Sequence, residues 1–186
     1  MPGKDTFLRF SERIAMKRFI FGIIGIIACF VCQTALFGLF KLADTAPNIM
    51  LIFVASIAVM RGQKEGMTIG FFSGLLLDIY YSSYLGIFAF VFMIFGFVDG
   101  FFHRIYYAED TFLPLVLIAV NDVIYGFLMY LGYGLLKNHL HILFYLKNII
   151  LPEIVYTVAV AVIFYRIFLR VNNWLESYEK GSVDFV

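Results

Sequence analysis

Six apolar segments joined by short polar connections limit the folds open to this chain more than any other feature of its sequence. They cover about 19–40, 48–60, 66–81, 85–102, 112–136 and 149–169. A soluble domain of 186 residues cannot bury that much apolar surface, because 62% of the residues are hydrophobic and only 15% are charged. The sequence therefore predicts an all-α polytopic membrane protein with about six transmembrane helices.

Two of the segments, 48–60 and 66–81, are shorter than the roughly 20 residues that a spanning helix needs. They either cross the membrane separately or form one re-entrant hairpin, and both arrangements return the chain to the same side. With a cytoplasmic N-terminus, all of the 14 Lys and Arg residues except Lys41, Lys137 and Lys147 lie on the cytoplasmic side. This bias follows the positive-inside rule and predicts that both termini are cytoplasmic.

The distribution of charge predicts three regions along the chain. Residues 1–18 form a cytoplasmic segment, which is either an amphipathic surface helix carrying Phe7, Phe10 and Ile14 or a disordered basic tail. Residues 19–170 form the six-helix transmembrane domain, whose first helix is an anchor and not a removable signal. Residues 171–186 form a cytoplasmic tail. The net charge of +1 gives no reason to expect a nucleic-acid partner.

A stripe of small residues marks the third segment. Gly66, Gly70, Gly74 and Asp78 are four residues apart, so they share one slowly drifting face of a helix. Glycines let another backbone approach closely, and close packing replaces the hydrophobic force between helices in lipid. The stripe therefore predicts a packing face that carries Asp78 into a contact, either within the chain or with a partner protein.

Further polar residues are expected inside the membrane, where they face protein, water or a partner because lipid does not solvate them. They are Asp99, Asn121, Asp122 and Glu153. Asn121 and Asp122 lie in the middle of their segment, and Asp122 is either a proton or ligand site or, as we favour, an interhelical hydrogen-bonding group. Glu153 follows Pro152, as expected in the first turn of a helix.

The sequence shows no set of residues typical of a catalytic or metal site. Cys29 and Cys32 lie in an apolar run without a second cysteine pair, so we expect them to be membrane-core residues and not zinc ligands. His139 and His141 form a pair in a loop, where headgroup contact is more common than metal binding. With no triad, phosphate loop or carboxylate pair, we expect a protein that is not an enzyme and needs no cofactor or metal.

The order of motifs in "APNIMLIFVASIAVMRGQKEG" and "GFFSGLLLDIYYSSYLGIFAFVFMIFGFVDG" resembles the bacterial rod shape-determining MreD family. A Pro-Asn pair opens one segment, a small basic loop follows, and then come G-F-x-x-G-L-L-x-D and L-G-x-x-A. The positions that match the family's pattern are Pro47, Asn48, Gly70, Gly74, Leu75, Asp78 and Gly86. The resemblance covers about residues 20–170, and the loop "KNHLHILFYLKN" and the high aromatic content depart from it.

The resemblance implies a non-enzymatic inner-membrane component of the cell-elongation machinery. Relatives work beside the periplasmic coiled-coil protein MreC, the actin-like MreB, the glycan polymerase RodA and a class B penicillin-binding transpeptidase, and they help regulate side-wall peptidoglycan synthesis. The family's fold is similar to the substrate-binding subunits of energy-coupling-factor transporters. This similarity supplies the alternative, a vitamin-type carrier subunit whose cavity would be lined by Asn48, Asp78, Glu153, Tyr80, Tyr81 and Tyr84.

Overall fold

A computed structural model describes residues 2–39, 46–82, 85–105, 111–137 and 146–183, and it contains helices and no strands in these ranges. The helices are α1 (Pro2–Leu39), α2 (Ile49–Arg61), α3 (Gln63–Tyr81), α4 (Ile87–Asp99), α5 (Phe112–Lys137) and α6 (Leu151–Val183). A 3-10 turn, Gly100–Arg104, extends α4, and a π-helical turn, Leu146–Ile150, precedes α6.

Four of the described helices are long and apolar enough to cross a membrane. Their spanning stretches are Arg18–Ala35, Ile87–Arg104, Phe112–Leu131 and Leu146–Leu175. Helix α2 is apolar but has 13 residues, so it is shorter than a spanning helix. The expectation of an all-helical polytopic membrane protein is therefore confirmed, while separate crossings by α2 and α3 stay a prediction.

Helix α2 forms the centre of the structure. Every residue from Ile49 to Met60 is buried, and α2 contacts each of the other five helices. A helix that is apolar on all sides is stable only when other elements enclose it. The surrounding helices turn residues such as Ile24, Phe90, Phe127 and Ile163 outward, as expected of surfaces that contact lipid tails.

Helices α2 and α3 form a tight antiparallel hairpin. The turn between them is Gly62, whose φ of 89° is a conformation that L side chains rarely adopt. The Gly62 N–H donates to the Ala58 carbonyl at 2.8 Å, which closes the last turn of α2. A Cβ added at Gly66 would lie 2.6 Å from the Ala58 Cβ, so the two helices are in close contact from the turn onward.

Helix α1 has 38 residues, because the segment before the first apolar stretch continues it without a break from Pro2. At 1.5 Å per residue it is about 57 Å long, against a hydrocarbon thickness of about 30 Å. The first turns of α1 therefore extend beyond the membrane when its apolar stretch spans. Whether they lie on the membrane surface, as an amphipathic segment would, stays a prediction.

A substitution at Gly86 measures the cost of backbone strain alone, because an added side chain there meets no neighbouring atom. Its φ is 108° at the start of α4, and a Cβ placed there would meet nothing within 4 Å. We expect Gly86→Ala to lower the free energy of unfolding by about 1–2 kcal/mol through backbone strain. Gly86→Asn should cost less, because Asn tolerates this region better. Thermal unfolding in detergent measures both, and equal losses would contradict the explanation.

Candidate functional site

The three glycines of the stripe face α4, where they allow direct contact between two backbones. A Cβ at Gly66 would lie 2.5 Å from the Gly96 carbonyl oxygen, one at Gly70 would lie 2.8 Å from the Phe92 carbonyl carbon, and one at Gly74 would lie 2.5 Å from the Ala89 Cα. Real Cβ atoms essentially never approach other atoms this closely. The packing face is therefore used within the chain, and we refer to this α3–α4 contact as the glycine seam.

Helix α4 and the 3-10 turn that extends it contribute small residues to the same seam. Gly96 faces the backbone of Gly66, and a Cβ at Gly100 would lie 2.5 Å from the Gln63 nitrogen. Because both helices place small residues four positions apart, they remain in contact from the α2–α3 turn to the far end of α3.

Asp78 ends the seam by capping α4. Its Oδ1 accepts a hydrogen bond from the Phe88 N–H at 3.0 Å, and its Oδ2 accepts one from the Ala89 N–H at 2.9 Å. The side chain is fully buried. Both N–H groups belong to the first turn of a helix, where they lack intrahelical partners and where the helix dipole favours negative charge. The negative charge of Asp78 is therefore stabilised by the N-terminus of α4, which belongs to the same chain.

The start of α2 is capped in a similar way by its own N-cap residue and by side chains of two other helices. The Asn48 side chain accepts from the Leu51 N–H at 3.2 Å, and the Asn48 N–H donates to the Thr157 hydroxyl of α6 at 3.2 Å. Gln33 of α1 accepts from the Met50 N–H at 2.9 Å. We call Gln33, Asn48 and Thr157 the amide layer. Pro47, which lies beside Asn48, is buried and accepts from the Ile49 N–H.

A further group of polar residues lies between α4, α5 and α6. Asp99, Asn121 and Asp122 are buried as expected, whereas Glu153, which was expected to be buried as well, is partly exposed. Asn121 donates to one carboxylate oxygen of Asp99 at 2.6 Å, while the other Asp99 oxygen has no partner among the described residues. Asp122 is 2% exposed and lies within electrostatic reach of Thr157 and Glu153 on α6. Asn121 thus joins α5 to α4, whereas neither carboxylate oxygen of its neighbour Asp122 has a hydrogen-bond partner among the described residues.

At the opposite end of α2, a charged cluster joins four helices. Glu65 of α3 pairs with Arg18 of α1 at 3.0 Å and with Arg61 of α2 at 3.4 Å. The Arg61 Nε donates to the Asn172 side chain of α6 at 2.7 Å. We call these four residues the basic layer. Along α2 it lies about 20 Å from the amide layer, which is less than the hydrocarbon thickness of about 30 Å.

The structure brings together no metal-binding group among the residues that it describes. No set of three or more His, Cys, Asp or Glu side chains is positioned there to hold an ion. Cys29 is buried, Cys32 is exposed, and both are free thiols. His139, His141 and Tyr84 lie outside the described residues.

Sequence reasoning missed several residues that the structure places at helix junctions. Gln33 and Thr157 cap α2, and Glu65 with Asn172 completes the basic layer. Gln33 and Thr157 are isolated polar residues in long apolar helices, and this isolation is a signal that both have buried partners. The identity of those partners requires the tertiary arrangement, because they are more than a dozen residues away.

Two carboxylates provide a matched test of helix capping. Asp78→Asn replaces one acceptor by an amide that faces an N–H group, so we expect the free energy of unfolding to fall by about 1–3 kcal/mol. Asp99→Asn should cost clearly less, because Asn keeps the acceptor for Asn121 and the second Asp99 oxygen has no described donor. Unfolding in detergent measures both. The reverse order of losses would show that Asp78 is not a cap that stabilises the fold.

Comparison with known proteins places this arrangement in a family. Neither the curated proteins nor the solved structures include a significant match to the chain. A family model described as rod shape-determining protein MreD matches residues 13–172, which include the glycine seam, both polar layers and all the buried polar residues described above. That family consists of shape-determining membrane proteins and is not a known enzyme family. The chain therefore belongs to the MreD family of rod shape-determining membrane proteins.

Proposed function

We propose that this protein is a non-enzymatic scaffold of the cell-elongation complex in the bacterial inner membrane. It would bind the membrane anchor of an MreC-like coiled-coil protein and, through it, act with MreB, RodA and a class B penicillin-binding transpeptidase. Its role would be to regulate side-wall peptidoglycan synthesis and so cell shape. Family membership supports the shape-determining role.

The observation that carries the scaffold proposal is that two of the residues considered for a carrier cavity, Asn48 and Asp78, already bond to the starts of helices. Asp78 caps α4, and Asn48 caps α2 and bonds to Thr157. A carrier needs several polar groups that remain free to bind a ligand in a cavity. Groups already bonded to helix ends instead fix the positions of the helices, which is what a rigid docking partner requires.

The tyrosines considered for a carrier cavity also have other contacts. The Tyr80 ring packs against Phe30 of α1 at 5.2 Å and against Tyr81 at 4.7 Å between ring centroids. Both side chains are exposed, that of Tyr80 by 63% and that of Tyr81 by 44%. Their position favours contact with lipid headgroups or a neighbouring protein over the lining of an internal cavity.

The proposed orientation rests on the basic layer. Arg18 and Arg61 meet at one end of the molecule through Glu65, and Lys64 and Arg104 lie exposed near the same end. Under the positive-inside rule this end faces the cytoplasm, which puts the N-terminus of α1 there as well.

Co-purification tests the proposed partner. We expect the tagged protein, expressed with a partner that has one transmembrane helix and a periplasmic coiled coil, to retain that partner through detergent extraction. The matched control is the same partner with its transmembrane helix replaced by an unrelated apolar helix, which should be lost if docking occurs in the membrane.

Two outcomes would contradict the proposal. One is equal recovery of the native and the replaced partner, or recovery of neither. The other is a tightly bound vitamin in the purified protein, detected by mass spectrometry, which would favour the carrier alternative.

A further inference from the structure

One face of α6 carries two arginines on an otherwise apolar surface that points away from the protein. Residues at three- and four-residue spacing share this face, and all are exposed: Ile163, Arg166, Ile167, Arg170, Val171 and Trp174. The opposite face of α6 holds Ala161, Tyr165 and Leu175 in the core. We call the exposed set the arginine face.

The basic layer fixes the depth of the arginine face. Asn172 of α6 is bonded to Arg61, so it marks the level of the basic layer on α6. Arg170 lies about 3 Å and Arg166 about 9 Å from that level toward the amide layer, at 1.5 Å per residue. Both residues lie within the spanning stretch Leu146–Leu175. With the basic layer at the cytoplasmic boundary, as proposed above, Arg166 would lie in the cytoplasmic half of the membrane, on the outer surface of the protein, and not in the cytoplasm where the sequence pattern alone puts it.

No described residue balances the charge of either arginine through an ion pair or a hydrogen bond. Side chains on a helix lean toward its N-terminus, and from both arginines the amide layer lies in the N-terminal direction along α6. The stem of Arg166 is therefore directed away from the basic end, which hinders its guanidinium from reaching water there. A guanidinium in the hydrocarbon region is costly unless an anion reaches it.

We propose that Arg166 and Arg170 bind the phosphate of an anionic membrane lipid on the arginine face. The two residues are one helical turn apart, and guanidinium groups bind phosphate oxygens in a bidentate manner. The remaining side chains of this face are apolar and suit acyl chains, while Trp174 lies at the end where a headgroup level is expected. This site is independent of the proposed scaffold role.

Native mass spectrometry of the full chain in detergent tests the site, with phosphatidylglycerol as the probe and phosphatidylcholine as the neutral comparison. We expect the Arg166→Gln, Arg170→Gln double variant to bind phosphatidylglycerol on the order of 30-fold more weakly than the unmodified protein. The Arg166→Lys, Arg170→Lys variant should be intermediate, because Lys keeps the charge but loses the bidentate geometry.

The matched control is Lys64→Gln, Arg104→Gln, which removes two exposed charges at the same end of the molecule. At high salt, which screens solvated charges, this control should bind the lipid nearly as well as the unmodified protein. Unchanged lipid affinity in the Arg166→Gln, Arg170→Gln variant would overturn the proposal. A second outcome would also overturn it: the double variant keeps its lipid affinity but no longer co-purifies with a membrane protein that the unmodified protein retains. That result would show that the arginines contact an acidic partner protein.

Discussion

The direct backbone contact between α3 and α4 is the interaction on which the other features of the fold depend. Between helices surrounded by lipid there is no hydrophobic force to hold them together, so close packing must supply the attraction. The glycine seam provides this packing over the length of α3. It also places Asp78 at the start of α4 and holds the α2–α3 turn near the 3-10 turn, and these contacts help to enclose the central helix α2.

Four buried polar residues act on the starts of two short helices. A helix that begins inside the protein has N–H groups without partners, and lipid supplies no water to bind them. Asp78 accepts hydrogen bonds from the N–H groups at the start of α4. The side chains of Gln33, Asn48 and Thr157 accept those at the start of α2. At the other end of α2, the Gly62 N–H donates to the Ala58 carbonyl and the His103 ring bonds to the Val59 carbonyl. Both ends of this 13-residue helix are therefore bonded inside the protein.

The helical class, the position of most helices and the close-packed face formed by the glycine stripe were predictable from the sequence. Hydropathy predicts which segments are helices surrounded by lipid or protein. Glycines spaced four residues apart predict a packing face on such a helix. Which element fills that face was not predictable, and neither was the capping of α2 by Gln33 and Thr157. These contacts join residues far apart in the chain, so they follow from the three-dimensional arrangement and not from local pattern.

The most direct test of the glycine seam compares Gly70→Ala with Gly126→Ala. Both substitutions improve helix propensity, but a methyl at Gly70 meets the backbone of Phe92, whereas one at Gly126 lies 3.1 Å from the Ile150 Cγ1, a side-chain atom that has to shift by only a few tenths of an ångström. Gly70→Ala should lower the free energy of unfolding in detergent by about 1–3 kcal/mol through overpacking, and Gly126→Ala should leave it nearly unchanged. Equal effects, or stabilisation by Gly70→Ala, would contradict the central role of the seam.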